Sequence, residues 1–304
     1  DKKVLEQVFS KLIEHHDGLR LNYNPDKKCM FFNNEHLRVS FEIEEFEIEG
    51  KNTLETIGAK IKSSFDITNS LLLKAVVLKS AGMPDRLLIS AHLLVIDGVS
   101  WRILLEDLYN LYEAKERASD YKILKKTGSL LDWQSSLVDY SKSEGLINQT
   151  DYWTEVEEKT FSIYGKAEMA DQKMYDPMRI IFSLGKTTTE YLLKDANKVY
   201  NTDIQILLLV ALARTLGELI KRDYLVIEME SFGRQIENID VSRTIGWFTA
   251  IYPIELNLNS KDIGSQIKSI KENVRKVPEN GIGYGVSRYL NQSLNAFNNR
   301  ISEV

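Results

Sequence analysis

Ser90-Ala91-His92-Leu93-Leu94-Val95-Ile96-Asp97-Gly98-Val99-Ser100-Trp101-Arg102-Ile103 is the stretch from which the rest of the chain is read. From Leu87 to Ile96 it is apolar on both faces, the pattern of a central strand in a sheet, with Leu93 buried in it. Asp97-Gly98 interrupts the run as a tight turn, and residues 100–114 resume at helical spacing. The reading is strand, turn, helix, with the helix start facing the strand end. Backbone donors converge at such junctions, which makes them common settings for chemistry. A histidine on a buried strand is ordinarily a hydrogen-bonded core residue, and Ser100 so near a helix start is more simply a cap than a nucleophile.

Working outward on the N-terminal side, residues 3–16 carry Val4, Leu5, Val8, Phe9, Leu12 and Ile13 at helical spacing, and Gly18 stops the helix. Strands are expected at 19–23, 37–49 and 71–79, and a helix at 53–64. Towards the C-terminus, helices are expected around 131–140 and 151–158. Residues 164–178 lose all periodicity, so a linker is placed at 166–178, between an N-terminal lobe at 1–165 and a C-terminal lobe at 179–304. The second half reads as a strand at 179–184, helices at 187–200 and 204–220, and strands at 224–230 and 251–256. Strands alternating with helices in both halves indicate an α/β class.

Composition narrows the function. At 304 residues, one large or two medium units are expected. The net charge of −5 offers no broad basic surface, so nucleic acid is not an expected partner. No apolar run is long enough to span a bilayer, and no charged-then-apolar leader opens the chain, so a cytoplasmic setting is expected. The single cysteine, Cys29, cannot form an internal disulfide. His15-His16-Asp17-Gly18 could suggest a metal or acid/base site, but it ends an amphipathic helix, where a cation complements the dipole. No set of histidines and carboxylates has zinc-ligand spacing, so no metal is expected.

Several motifs together resemble one family. His92 to Gly98 is similar to the His-His-x-x-x-Asp-Gly signature of the condensation and epimerization domains of nonribosomal peptide synthetases. Val99-Ser100-Trp101-Arg102-Ile103-Leu104-Leu105-Glu106-Asp107 is similar to the epimerization branch. Asp132-Trp133-Gln134 and Tyr152-Trp153 resemble the family's inter-lobe segment. Glu230-Ser231-Phe232-Gly233-Arg234 resembles its Glu-Gly-His-Gly-Arg motif. Ser242-Arg243-Thr244-Ile245-Gly246-Trp247-Phe248-Thr249 with Tyr252-Pro253 is the strongest match, and Gly281-Ile282-Gly283-Tyr284-Gly285 follows in register.

The resemblance implies two chloramphenicol-acetyltransferase-like sandwich lobes forming a V-shaped pseudo-dimer with a tunnel at the seam. It implies no directly bound cofactor. The substrate would be an aminoacyl or peptidyl thioester on the phosphopantetheine arm of a peptidyl carrier protein, among neighbouring synthetase modules. By this match Glu230 and His92 are the catalytic candidates. Asp97, Gly98 and Arg234 are structural motif residues, with Arg234 the expected ion-pair partner of Asp97. Trp247 and Tyr284 are expected to pack.

Three departures from the pattern stand out. Leu93 occupies the position of the second motif histidine, the one that faces the reaction. Ser231 and Phe232 stand where the family has Gly and His. The pattern also ordinarily starts earlier and runs past Val304, so a fragment is expected. The expectation is an epimerization-type domain impaired at Leu93. A non-catalytic carrier-docking module and an amide-forming condensation domain are the alternatives.

Overall fold

The computed structural model describes residues 1–48, 51–119, 123–160, 180–220, 222–258 and 262–291. The chain divides into two compact units, Asp1–Ser136 with Ile236–Thr249, and Leu137–Gln235 with Ala250–Val304. Residues 166–178, read above as the linker, lie outside the described residues.

The first unit opens with α1 (Lys2–His15), capped by the Asp1 carboxylate, which accepts from the Val4 backbone N–H at 3.2 Å. Val8, Phe9, Leu12 and Ile13 make its buried stripe. β1 (Leu21–Asn24) and β2 (Cys29–Phe32) form an antiparallel hairpin. β3 (Glu44–Glu47) follows, then α2 (Lys51–Ser63), β4 (Leu73–Ser80), β5 (Met83–Ala91), α3 (Gly98–Glu116) and α4 (Leu130–Tyr140). The sheet order is β3-β4-β5, with β3 parallel and β5 antiparallel to β4.

Three expectations for this unit are corrected. The middle strand of the sheet is β4, whose Leu73, Ala75, Val76, Val77 and Leu78 are buried, and not the 87–96 run. β5 starts with exposed Met83, Pro84, Asp85 and Arg86 and stops at Ala91. Proline in the opening turns of an edge strand removes no ladder bond that a central strand would need. Leu93–Val95 is instead a short 3-10 helix. Finally, the 37–49 strand shrinks to β3. The N–H groups of Phe41 and Ile43 donate to Ser10 Oγ (3.3 Å) and Glu6 Oε1 (3.1 Å) of α1 rather than to a strand.

The core of this unit joins α1, α3 and β4 through Phe9, Leu12, Leu72, Leu73, Ile96 and Leu104, and it also takes in Ile245. Residues 236–249 therefore contribute to the core of the first unit, although they are remote from it in sequence. Gly18 makes this packing possible, since a Cβ there would lie 2.0 Å from the Ile245 carbonyl oxygen.

The second unit contains α5 (Glu144–Ile147), α6 (Thr150–Glu158), α7 (Lys186–Glu190), a π-helical turn at Tyr191–Asp195, α8 (Ala196–Tyr200) and α9 (Ile204–Ile220). β6 (Tyr224–Ser231) and β7 (Ala250–Asn257) form an antiparallel pair, followed by α10 (Ile263–Lys276) and α11 (Ile282–Tyr289). Its core gathers Trp153, Leu209, Leu225, Ile254, Ile270 and Tyr284. The strand expected at 179–184 is corrected for residues 180–184. None of the described strands pairs with them, and Ile180, Ile181 and Phe182 are exposed at 79%, 78% and 84%. A β-branched, apolar composition favours a pleated surface only where there is a neighbour to pack against. Both units mix helices and strands, as the α/β reading requires.

Candidate functional site

The motif segment is built from the end of β5. His92 sits in an extended conformation and caps the 3-10 turn, its Nδ1 accepting from the Leu94 backbone N–H at 3.1 Å. With Nδ1 committed as an acceptor, the neutral ring carries its proton on Nε2. The imidazole and the Phe65 ring stand nearly perpendicular, with centroids 6.2 Å apart. Ile96 is buried, and Asp97, 4% exposed, is the N-cap of α3. Its Oδ1 accepts from the Ser100 N–H at 2.7 Å and its Oδ2 from the Phe248 N–H at 3.1 Å.

The cap is thus Asp97 and not Ser100. The Ser100 hydroxyl instead bridges the two backbone polar groups of Gly246, donating to its carbonyl (2.9 Å) and accepting from its N–H (3.1 Å). A Cβ at Gly246 would fall 2.7 Å from Leu130 Cδ2 and 3.2 Å from Phe248 Cε2, so glycine lets these side chains pack close to the backbone. At Gly98 a Cβ would meet nothing within 4 Å, so nothing in the structure explains glycine there.

Leu93 departs from expectation most sharply. It is 63% exposed, where a buried residue was expected, because the strand stops at Ala91 and the 3-10 turn swings this side chain outward. There it lines an apolar cleft of about 690 Å³, together with Met30 and Phe31 of β2, His92, Leu131 and Gln134 of α4, and Trp247. Trp247, 37% exposed, is a wall of that cleft.

In the second unit Glu230 lies near the end of β6, paired with Ile251 of β7, and is exposed. Ser231 follows, opposite Ala250, and its hydroxyl donates to the Asn280 carbonyl at 2.7 Å. Phe232 is exposed and Gly233 adopts φ 58, a left-handed conformation that favours glycine. Arg234 is half-buried. Tyr284 is a buried packing residue: its hydroxyl bonds Glu157, Arg288 donates to it at 2.7 Å, and its ring stands 5.3 Å from that of Trp153. Burial, together with the Glu157 carboxylate, pushes the Tyr284 phenol well above its usual range.

Sequence reasoning missed one ionic cluster in the first unit. His16 is the C-cap residue of α1, as the helix-end reading expects, but its Nε2 also meets Asp107 Oδ2 at 2.9 Å. Arg243 donates to Asp107 Oδ1 at 2.7 Å and to Glu106 Oε2 at 3.0 Å. The signal was present in α3, where Asp107 interrupts the buried stripe of Ile103, Leu104, Leu108 and Leu111. A carboxylate on a buried stripe demands cationic partners. Among the described residues no group of three or more His, Cys, Asp or Glu side chains could hold a metal ion, and no helix is long and apolar enough to cross a membrane.

The profile of the family described as "Condensation domain" matches residues 1–299. Surfactin synthase subunit 2 of Bacillus subtilis (strain 168) is 37% identical over 304 residues, which cover 96% of this chain and 8% of that protein. Among solved structures, the epimerization domain from the third module of tyrocidine synthetase B superposes with a TM-score of 0.87 at 32% identity, over 96% of this chain and 69% of that one. The first condensation domain of the calcium-dependent antibiotic (CDA) synthetase superposes at 0.76 with 14% identity, a likeness of fold alone.

Proposed function

The chain belongs to the condensation-domain family found in nonribosomal peptide synthetases and has its chloramphenicol-acetyltransferase-like α/β fold, and on that premise we propose that it is an epimerization-type domain. Its substrate is an aminoacyl or peptidyl thioester presented on the phosphopantetheine arm of a peptidyl carrier protein, and its partners are the neighbouring synthetase modules. The reading is carried by the likeness to an epimerization domain over 96% of the chain at 32% identity.

In the proposed chemistry the Glu230 carboxylate takes the α-proton, and the electron pair of the C–H bond moves into the thioester carbonyl to give an enolate. Returning a proton to the opposite face inverts the centre. Such a reaction needs a base, an acid and stabilisation of the oxygen charge. Glu230 is exposed, so its carboxylate is open to an incoming ligand. The Nδ1 of His92 already accepts from the Leu94 N–H, so that lone pair is not open to a substrate proton. Leu93 supplies no proton carrier where the family has histidine. Losing one acid/base group costs about 10²–10⁴-fold in rate, so inversion by this chain should be weak.

The exposed Leu93 also supports a second reading, a carrier-docking module without catalysis. Two assays with a loaded carrier separate the readings. The first is the D/L ratio of the aminoacyl group after incubation, and the second is amide formation with a second loaded carrier. A slow rise in the D form that is lost in Glu230→Gln is the expected result. Amide formation would favour a condensation domain, and inertness in both assays a docking module.

A further inference from the structure

We propose that the apolar cleft beside His92 seats the side chain of the residue being processed, and that it selects a large uncharged side chain of the leucine or phenylalanine class. The proposal rests on the preceding reading for the identity of the ligand as a carrier-bound aminoacyl group, but the cleft itself lies wholly within the first unit.

The walls carry the argument. Met30 and Phe31 of β2, Leu93, Leu131 and Trp247 all turn apolar surface into an open space of about 690 Å³. That volume falls within the range of about 300–1,000 Å³ typical of small-molecule sites. Among the described residues no carboxylate, ammonium or guanidinium group lines it, and its polar side chains are the imidazole of His92 and the amide of Gln134. Two neutral hydrogen-bonding groups in an apolar wall suit a ligand with a peptide-like backbone and an apolar side chain. A charged side chain would shed its hydration there with nothing of opposite sign to meet it.

Leu93 has a specific part in this. A histidine at its position would add a polar, titratable group to the cleft, whereas leucine closes the apolar lining between His92 and Leu94. The residue that weakens proton transfer thereby sharpens side-chain selection. Exposed apolar side chains gathered in one concavity are characteristic of binding surfaces.

The test is calorimetric titration of the whole chain with hydrolysis-resistant aminoacyl-pantetheine amides carrying leucyl, phenylalanyl, aspartyl or lysyl groups. The leucyl and phenylalanyl probes should bind about 10-fold or more tighter than the charged ones, the scale of discrimination that apolar pockets achieve. Leu93→Asp and Leu131→Asp, both at exposed positions and so expected to fold, should each erase that preference. Equal affinity for all four probes, absence of binding, or a preference unaltered by both variants would overturn the proposal. So would a dimer that dissociates on Leu93→Asp, since a second copy would then fill the cleft. The two readings fail separately. Discriminating binding without any α-proton chemistry would retain the cleft and remove the epimerization reading. α-Proton chemistry without discrimination would do the reverse.

Discussion

The ends of β5 and β6 both carry motif residues, yet they are built in opposite ways. After β5, Asp97 and Ser100 are buried and bonded to backbone groups of Gly246 and Phe248, residues about 150 positions away in sequence. At the end of β6, Glu230 stands exposed on the ladder with β7, and the hydroxyl of its neighbour Ser231 donates to the Asn280 carbonyl. The first segment holds the fold together and leaves a single side chain, Leu93, projecting into open space. The second holds a carboxylate in place with little structural commitment of its own. Residues of one motif family can therefore divide into those that fix a scaffold and those that remain available for a proton. Burial and bonding, rather than motif membership, separate the two groups.

Substitutions at the two strand ends should break the comparison in different ways. Asp97→Ala removes the cap of α3 and leaves the Phe248 N–H without its carboxylate acceptor. Together these should cost about 2–4 kcal/mol, read as a lower urea midpoint at unchanged slope. If Asp97→Ala is as stable as the parent, the scaffold half of the comparison is wrong. At the other end, Ser231→Ala removes a single hydroxyl bond near the surface. Its expected cost is about 0.5 kcal/mol, close to the limit of the same denaturation experiment. A loss of several kcal/mol there would mean that the β6 end is as structurally committed as the β5 end.

Much of this was legible in the sequence. Periodicity located α1, α9, β6 and β7, because each buries a continuous apolar stripe or face against its neighbours. The same logic failed at Leu93–Ile96, where four consecutive apolar residues read equally well as strand or as buried turn. What decides between them is the ring nitrogen of His92 taking the Leu94 N–H. It failed again at Ile180–Leu184, whose composition suits a strand but which has no described partner strand. Nor could local pattern assign residues 236–249 to the first unit. That assignment rests on long-range bonds such as Arg243 to Asp107, Thr244 Oγ1 to the Gly128 carbonyl at 2.5 Å, and Ser100 to Gly246. Of the candidate site, the identities of Glu230, Asp97 and Leu93 came from the motif resemblance. The exposure of Leu93, and with it the cleft, came only from the fold.

The central claim is that Glu230 is the base and that Leu93 withholds the second proton carrier. Deuterium incorporation at the α-carbon of a carrier-bound aminoacyl thioester, measured by mass spectrometry in deuterated water, tests it directly, because it registers deprotonation even when inversion fails. The account predicts incorporation by the chain as it stands that outruns inversion, a rise in inversion of about 10²–10⁴-fold in Leu93→His, and loss of both incorporation and inversion when Glu230→Gln is added. Leu93 is exposed, so the histidine can be accommodated without repacking a core. Inversion that keeps pace with incorporation while Leu93 is in place would contradict the claim that the site is impaired. Incorporation that survives Glu230→Gln would contradict the assignment of the base.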